Sequence, residues 1–296
     1  MDFTPHLVES VATPVRTAPV GRSLGALLLD LGKIRPSDAE LILRMQKERN
    51  LRFGEAAIQL GLVTESDIQQ ALSRQYEFPY LMPGQNLVAP ELIAAHQPFS
   101  PEVESLRALR TQLMLRWFGA EPRQKTLAVV STERGDGRSY LAANLAVSFS
   151  QLGERTLLVD ADLRNPRQHE MFRLNNRPGL SSLLTGRAAG NAIEHVPTFP
   201  GLSVLPAGAQ APNPQELAAR PSFSAMLHEL GNEYDVILID TPAATLAADA
   251  QTIAARAGGA LLVARQHRTR MADARALLQS LTSASAVVVG SVLNRF

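Results

Sequence analysis

From residue 125 onward the chain alternates short, wholly apolar segments with helical ones, and that alternation restricts it to few folds. Residues 126–131 (TLAVVS), 156–160, 202–206, 236–240, 260–264 and 286–293 read as strands, with helices between them, the first over 139–152. Strands apolar on both faces need cover on both. The pattern therefore predicts an α/β fold, a mainly parallel sheet with helices on each face. Ligands of such sheets bind beyond the carboxyl ends of the strands, so the functional residues are expected there.

The first strand runs into STERGDGRS at 131–139 and then into a helix. A glycine-containing turn with a helix N-terminus behind it presents backbone N–H groups to an anion. Against the phosphate-loop pattern G-x-x-x-x-G-K-[ST], Thr132 stands in place of the first glycine and Arg138 in place of the lysine. Taken alone, the loop fits either a phosphate cradle or an ordinary strand-to-helix turn. Three acidic strand ends favour the cradle. LLVDADLR at 157–164 places Asp160 and Asp162 after the second strand, and VILIDTP at 236–242 ends another in Asp240. Carboxylates at the tips of buried strands are costly unless they meet cations, and hard oxygens beside phosphates suit Mg²⁺.

The N-terminal third is different. Residues 1–21, with Pro5, Pro14 and Pro19, read as a flexible leader. A repeat follows: 23–46 and 52–75 are 24 residues each, separated by the five residues 47–51. Gly25 matches Gly54, Gly32 matches Gly61, and Ile34 matches Val63. Each copy reads as a short apolar helix ended by glycine, then a helix opened by polar caps at 36–38 or 64–67. The expected organisation is a small α-helical domain over 22–80, a linker or packing arm over 81–100, and the α/β domain over 101–296. That domain opens with an amphipathic helix carrying Val103, Leu106, Leu109, Leu113 and Trp117.

Composition closes off several classes. With 29 Lys plus Arg against 28 Asp plus Glu, the chain lacks the basic excess of a nucleic-acid binder. It has no cysteine, hence no disulfide and no thiolate chemistry, and its six histidines show no zinc-site spacing. The N-terminus lacks a signal-peptide pattern and no apolar run reaches membrane-spanning length, so a cytoplasmic protein is expected.

The tract from about 104 to 296 resembles the bacterial tyrosine kinases (BY-kinases) of exopolysaccharide export. It carries a Walker A loop at 131–139, a Walker A′ element at 157–164 and a Walker B element at 236–242. Supporting matches are the E-x-x-R-x-x-R helix at Glu104, Arg107 and Arg110, the LPAG and PNPxEL segments at 205–217, and the terminal LNRF. The GDGRSY form of the loop is similar to the EpsG-type chain-length-determinant group. The resemblance implies a P-loop NTPase-type sheet, ATP and Mg²⁺ as cofactors, and phosphoryl transfer to tyrosine. By the same resemblance Asp160 accepts the tyrosine proton, with Arg138 and Asp162 as the other catalytic groups. Gly135, Asp136, Gly137, Arg138, Ser139 and Tyr140 cradle the nucleotide, and Ser139, Asp162 and Asp240 hold the metal. Asn294 is either an adenine contact or a polar strand end. A lysine at 138 is expected to serve as well as arginine. Glu104, Arg107 and Arg110 are expected to support a homo-oligomer. The implied partner is a Wzz-like polysaccharide co-polymerase, which would hold the protein at the inner membrane. Tyr76, Tyr80, Tyr140 and Tyr234 are the only tyrosines and form no tyrosine-rich tail, so the phosphate acceptor is expected on another protein or to be absent.

The repeat resembles the MshEN-type domain of secretion and pilus ATPases, some members of which bind cyclic di-GMP. Arg52, Gly54 and Gln75 fit that ligand's second motif, whereas Ser23 and Lys33 depart from the first. Protein docking is the other role this domain type offers. Two alternatives to the kinase remain: a catalytically weak ATP-binding switch acting through assembly, and a MinD/ParA-like ATPase. The latter's signature lysine is Glu133 in this chain.

Overall fold

The computed structural model describes residues 23–75, 79–81, 84–121, 124–187, 192–246 and 248–295; the expected leader at 1–21 lies outside them. The chain divides into two compact units, one up to Met82 and one from Pro83.

The first unit is the repeat made visible. Helices α1 (Leu24–Asp30) and α2 (Pro36–Arg49) are followed by α3 (Phe53–Gln59) and α4 (Glu65–Gln75). Gly32 and Gly61 take the same left-handed φ of 67° just past α1 and α3. Their N–H groups close equivalent turns, to the carbonyls of Leu29 and Ile58, both at 2.9 Å. A side chain at either position would strain that turn. Leu28, Ile34, Ile42, Ala56, Ala57, Val63 and Ala71 form a small common core. The start of α4 is held by Asp67, whose carboxylate accepts from Thr64 N–H at 2.8 Å and Thr64 Oγ1 at 2.7 Å. Asp67 also pairs with Lys33 at 2.7 Å.

The Lys33 and Thr64 bonds lower the Asp67 pKa from 3.8 to about 2. Because the folded value lies below the unfolded one, the stabilisation is present above pH 4 and is lost as pH falls from about 4 to about 2. Asp67→Asn is therefore expected to flatten the acid limb of thermal unfolding of the full chain. An unchanged slope would remove this pair as a source of stability.

The second unit is a seven-stranded sheet in the order β3-β4-β2-β5-β1-β6-β7. Its strands are β1 (Thr126–Ser131), β2 (Thr156–Asp160), β3 (Glu194–His195), β4 (Leu202–Leu205), β5 (Val236–Asp240), β6 (Gly259–Arg265) and β7 (Val287–Asn294). All neighbours are parallel except β3, which pairs antiparallel with β4 at the edge. The sequence pattern missed β3 because two residues carry no periodicity. Alternate side chains (Ala128, Val130, Leu157, Val159, Ile237, Ile239) join one core with Leu217, Phe223, Leu227, Ile253 and Leu277. Those partners belong to α10 (Pro214–Ala219), α11 (Pro221–Glu233), α12 (Asp249–Ala257) and α13 (Met271–Ser283). Strand residues of the other parity point the opposite way, toward α7 (Arg138–Gln151), which packs on β1, β2, β4 and β5.

Helix α7 is buried on nearly every side, from Leu141 to Ser150. Its outer side is covered by residues 84–100, including α5 (Ile93–His96), and by α6 (Pro101–Leu113). Residues 84–100 are thus a packing arm on this unit. Asn144 pins the arm: its Oδ1 accepts from Ala94 N–H at 2.9 Å, and its Nδ2 donates to Glu91 O at 3.1 Å and Tyr140 O at 2.9 Å. Helix α6 runs on as a π-helical turn, Met114–Phe118, which buries Trp117 against Gly259 and lets its indole N–H reach Thr126 O at 3.0 Å. Short helices α8 (Gln168–Phe172) and α9 (Leu180–Leu184) follow β2.

Among the described residues no helix is long and apolar enough to cross a membrane.

Candidate active site

Strands β2, β5 and β1 lie side by side, so their carboxyl ends deliver Asp160, Asp240 and the loop after Ser131 to one place. Asp160 and Asp240 are register partners across the β2–β5 ladder. The loop turns at Gly135 (φ 85°) and Gly137 (φ 98°), conformations in which any side chain is strained. Gly137 caps α7, leaving the helix's first N–H groups toward the cleft.

Asp136, expected in the cradle, braces the loop from inside. Its buried carboxylate accepts from Glu133 N–H at 2.9 Å, Thr132 Oγ1 at 3.2 Å and Thr269 Oγ1 at 3.3 Å. The threonine in the first glycine position is thereby used. Asn294, at the end of β7, donates to Asp136 O at 2.8 Å, so its amide braces the same loop.

Arg138 departs furthest from its expected pose. Only 6% exposed, it is laid under the loop. Nε donates to Thr241 O at 2.7 Å, while Nη1 donates to Ser131 Oγ at 2.6 Å and Glu133 O at 3.2 Å. Nη2 lies 3.8 Å from Asp162 Oδ2. The guanidinium fork thus ties β1, the loop and the end of β5 together, and one nitrogen remains toward Asp162.

A cleft of about 560 Å³ opens over this loop. Gly135, Gly137, Arg138, Ser139 and Tyr140 line one side; Asp162, Asn165 and Arg167 line another, with Arg134, Glu91 and Leu246 at its margins. Asp162 Oδ1 caps its own turn, accepting from Arg164 N–H at 3.2 Å and Asn165 N–H at 2.9 Å. Asp160 does not reach the cleft. It is fully buried, with Oδ1 accepting from Asp162 N–H at 3.2 Å and Oδ2 from Arg167 N–H at 3.0 Å and Gln168 N–H at 2.9 Å.

Burial raises the pKa of Asp160 well above the carboxylate range; the charges of Asp240 and Asp162 add to this, and the amide bonds only partly offset it. Burial also raises Asp240, opposed by the Arg138 charge, by the Gln168 hydrogen bond and by the nearby Ser139 hydroxyl. A cation set among these acids reverses that penalty. The residues fit Mg²⁺: Asp240 Oδ1 is buried with no hydrogen-bond partner, and the Ser139 hydroxyl faces the same carboxylate. Among the described residues no three acidic or imidazole side chains form a closed metal cage. That suits an ion completed by phosphate oxygens and water.

The helix expected to support oligomerisation divides. Arg107 pairs with Glu104 at 2.9 Å and donates to Pro98 O at 2.6 Å; Arg110 turns inward to Ser148 O at 2.8 Å. Glu104 alone of the three is well exposed. In the first unit, Arg52 is exposed and Gly54 lies against Leu24 and Ile68, while the Gln75 side chain lies outside what the structure describes. Gln168 and Glu91 belong to the site's surroundings and carry no motif signal, while Thr241 lies within the 236–242 element without being marked by it.

The family model described as "ParA: NUBPL iron-transfer P-loop NTPase" matches residues 123–295. CapB of Staphylococcus aureus, a tyrosine-protein kinase by name, is 36% identical over 67% of this chain and 86% of its own length. EpsB of Ralstonia solanacearum, likewise a tyrosine-protein kinase by name, is 35% identical over 69% of this chain, which spans only 27% of EpsB. The kinase domain of the Escherichia coli tyrosine kinase ETK superposes with a TM-score of 0.67 at 29% identity, over 74% of this chain and 85% of that one. MinD of Pyrococcus horikoshii, crystallised with Mg-ADP, gives a TM-score of 0.51 at 27% identity, over 58% of this chain and 70% of that one. P-loop NTPase membership implies a nucleotide held with Mg²⁺, matching the loop and its acids. On these grounds the chain belongs to the bacterial tyrosine-kinase family, built on the ParA-type P-loop fold.

Proposed function

We propose that this chain is an ATP-dependent protein-tyrosine kinase acting in exopolysaccharide polymerisation and export. The observation that carries the reading is the cleft itself, lined by a phosphate-loop turn with Arg138, Ser139 and Asp162, with the buried Asp240 carboxylate beside Ser139. Ser139, Asp240 and Asp162 would hold Mg²⁺, which supplies neutralisation of phosphate charge. Backbone N–H groups of 135–139 seat the phosphates, and the Arg138 nitrogen that faces Asp162 meets the transferring group. The tyrosine oxygen bonds to the γ-phosphorus as the bond to the β,γ-bridging oxygen breaks and ADP departs. The phenolic proton passes to Asp162, the carboxylate on the cleft wall, while Asp160 positions it from behind. Phosphoryl transfer asks for placement and charge stabilisation, and these groups supply both.

Tyr140 and Tyr234 are half-buried, and burial raises both their pKa values. Tyr80 is partly buried and Tyr76 lies outside the described residues, and we place the acceptor on another protein. Incubating the full chain with γ-labelled ATP, Mg²⁺ and a tyrosine polymer tests the reading. Phosphotyrosine supports it; nucleotide binding without transfer supports the assembly switch; phosphate released to water supports a MinD/ParA-like ATPase.

Assembly through Glu104 and a membrane co-polymerase partner belong to the same proposal. Glu104→Ala is expected to lower the mass seen by light scattering, and unchanged mass would refute that role. The first unit is read as an MshEN-like docking module, supported by its exact 24-residue duplication and matching turns. Calorimetric titration with cyclic di-GMP decides whether Arg52, Gly54 and Gln75 also serve a ligand.

A further inference from the structure

Gln168 is fully buried at the first position of α8, and it touches three parts of the site at once. Its N–H donates to Asp160 Oδ2 at 2.9 Å, and its side-chain Nε2 donates to Asp240 Oδ2 at 2.8 Å and to Ser139 O at 3.2 Å. The tips of β2 and β5 and the first turn of α7 are thereby joined through one residue. The side chain does not line the cleft.

The chemistry of the amide has a consequence. Its NH₂ can only donate, so it occupies Oδ2 of Asp240 and fixes the rotation of that carboxylate. The other oxygen, Oδ1, is left buried with no partner. Gln168 Oε1 is also buried and unpartnered, so the amide orientation satisfies Asp240 at the cost of its own acceptor. A residue serving only to fill space would not need this arrangement, since methionine has similar length and no polar atoms to leave unpaired.

We propose that Gln168 is a positioning residue for the divalent cation, holding Asp240 so that Oδ1 faces the ion that accompanies the nucleotide. The proposal rests on the reading of the cleft as a Mg²⁺–nucleotide site. Groups that orient metal ligands from behind typically contribute 10- to 100-fold in metal affinity.

The test uses the full chain, its Gln168→Met variant and its Gln168→Asn variant. The asparagine keeps the amide but is one methylene too short to span Asp240 and Ser139. ADP binding is measured by calorimetry with Mg²⁺ and with EDTA, beside thermal unfolding and the kcat and KM for ATP. The parent is expected to bind ADP more tightly with Mg²⁺. Both variants are expected to keep their EDTA affinity within about twofold and to lose about tenfold of the Mg²⁺-dependent gain. Their kcat falls more than their KM rises. Should the methionine variant fail to fold, the asparagine variant carries the comparison. A variant that keeps the parent's full gain overturns the proposal, as does equal weakening with and without Mg²⁺, the mark of a packing role. A parent with no Mg²⁺-dependent gain instead removes the underlying cleft assignment.

Discussion

Replacing Arg138 by lysine is expected to lower kcat/KM for tyrosine phosphorylation by about 30-fold, the equivalent of about 2 kcal/mol of charge-assisted hydrogen bonding. The loop pattern alone suggests the opposite, because lysine is the residue it prescribes. The structure reverses the expectation through geometry. The guanidinium donates at once to Thr241 O, Ser131 Oγ and Glu133 O, and its last nitrogen faces Asp162. An ammonium is one point with three donors and cannot span the end of β5, the end of β1 and the loop between them. A lysine drawn to phosphate would leave Thr241 O and Ser131 Oγ without their partner, while one drawn to them would leave the phosphate without its cation. A variant as active as the parent would show that the fork is dispensable and that charge alone suffices.

Asp162→Asn carries the second large effect. Loss of a proton acceptor on the cleft wall is expected to cut kcat by about a hundredfold or more. Because Asp162 also faces the metal, the Mg²⁺-dependent gain in ADP affinity falls as well, while affinity in EDTA stays close to the parent's. Asp160→Asn should behave differently. Asparagine has one acceptor oxygen, whereas Asp160 receives three backbone N–H groups on two oxygens. The amide must turn its NH₂ against at least one of them, so the turn over 162–168 loosens. Nucleotide affinity and transfer then fall together. Phosphotyrosine formation retained in Asp162→Asn, with transfer selectively lost in Asp160→Asn, would return the acceptor role to Asp160.

These two residues also show how far the sequence could be read. Continuous apolar runs placed six of the seven strands within about a residue of their observed ends, because burial on both faces leaves little choice of residue. Acids at strand tips marked Asp160, Asp162 and Asp240 for the same reason. What the pattern could not carry was direction. It assigned Arg138 a charge but not a pose, and that pose depends on Thr241, more than a hundred residues away. The family resemblance placed Asp136 in the cradle and left Asn294 as an adenine contact or a polar strand end, and neither reading indicated that one braces the loop through its carboxylate and the other through its amide. The inward turn of Arg110 was more accessible. It lies four residues after Leu106 and three before Leu113, on the face those leucines bury. Gln168 had no local signal, since its partners come from β5 and α7.

The most direct test of the account is calorimetric titration of the full chain with a non-hydrolysable ATP analogue, in Mg²⁺ and again in EDTA. The account predicts one site per chain and binding at least about tenfold tighter with the metal, as hard carboxylate and hydroxyl oxygens beside phosphates require. No binding in Mg²⁺, or the same affinity in EDTA, would contradict the convergence of Ser139, Asp162 and Asp240 on a metal–nucleotide site.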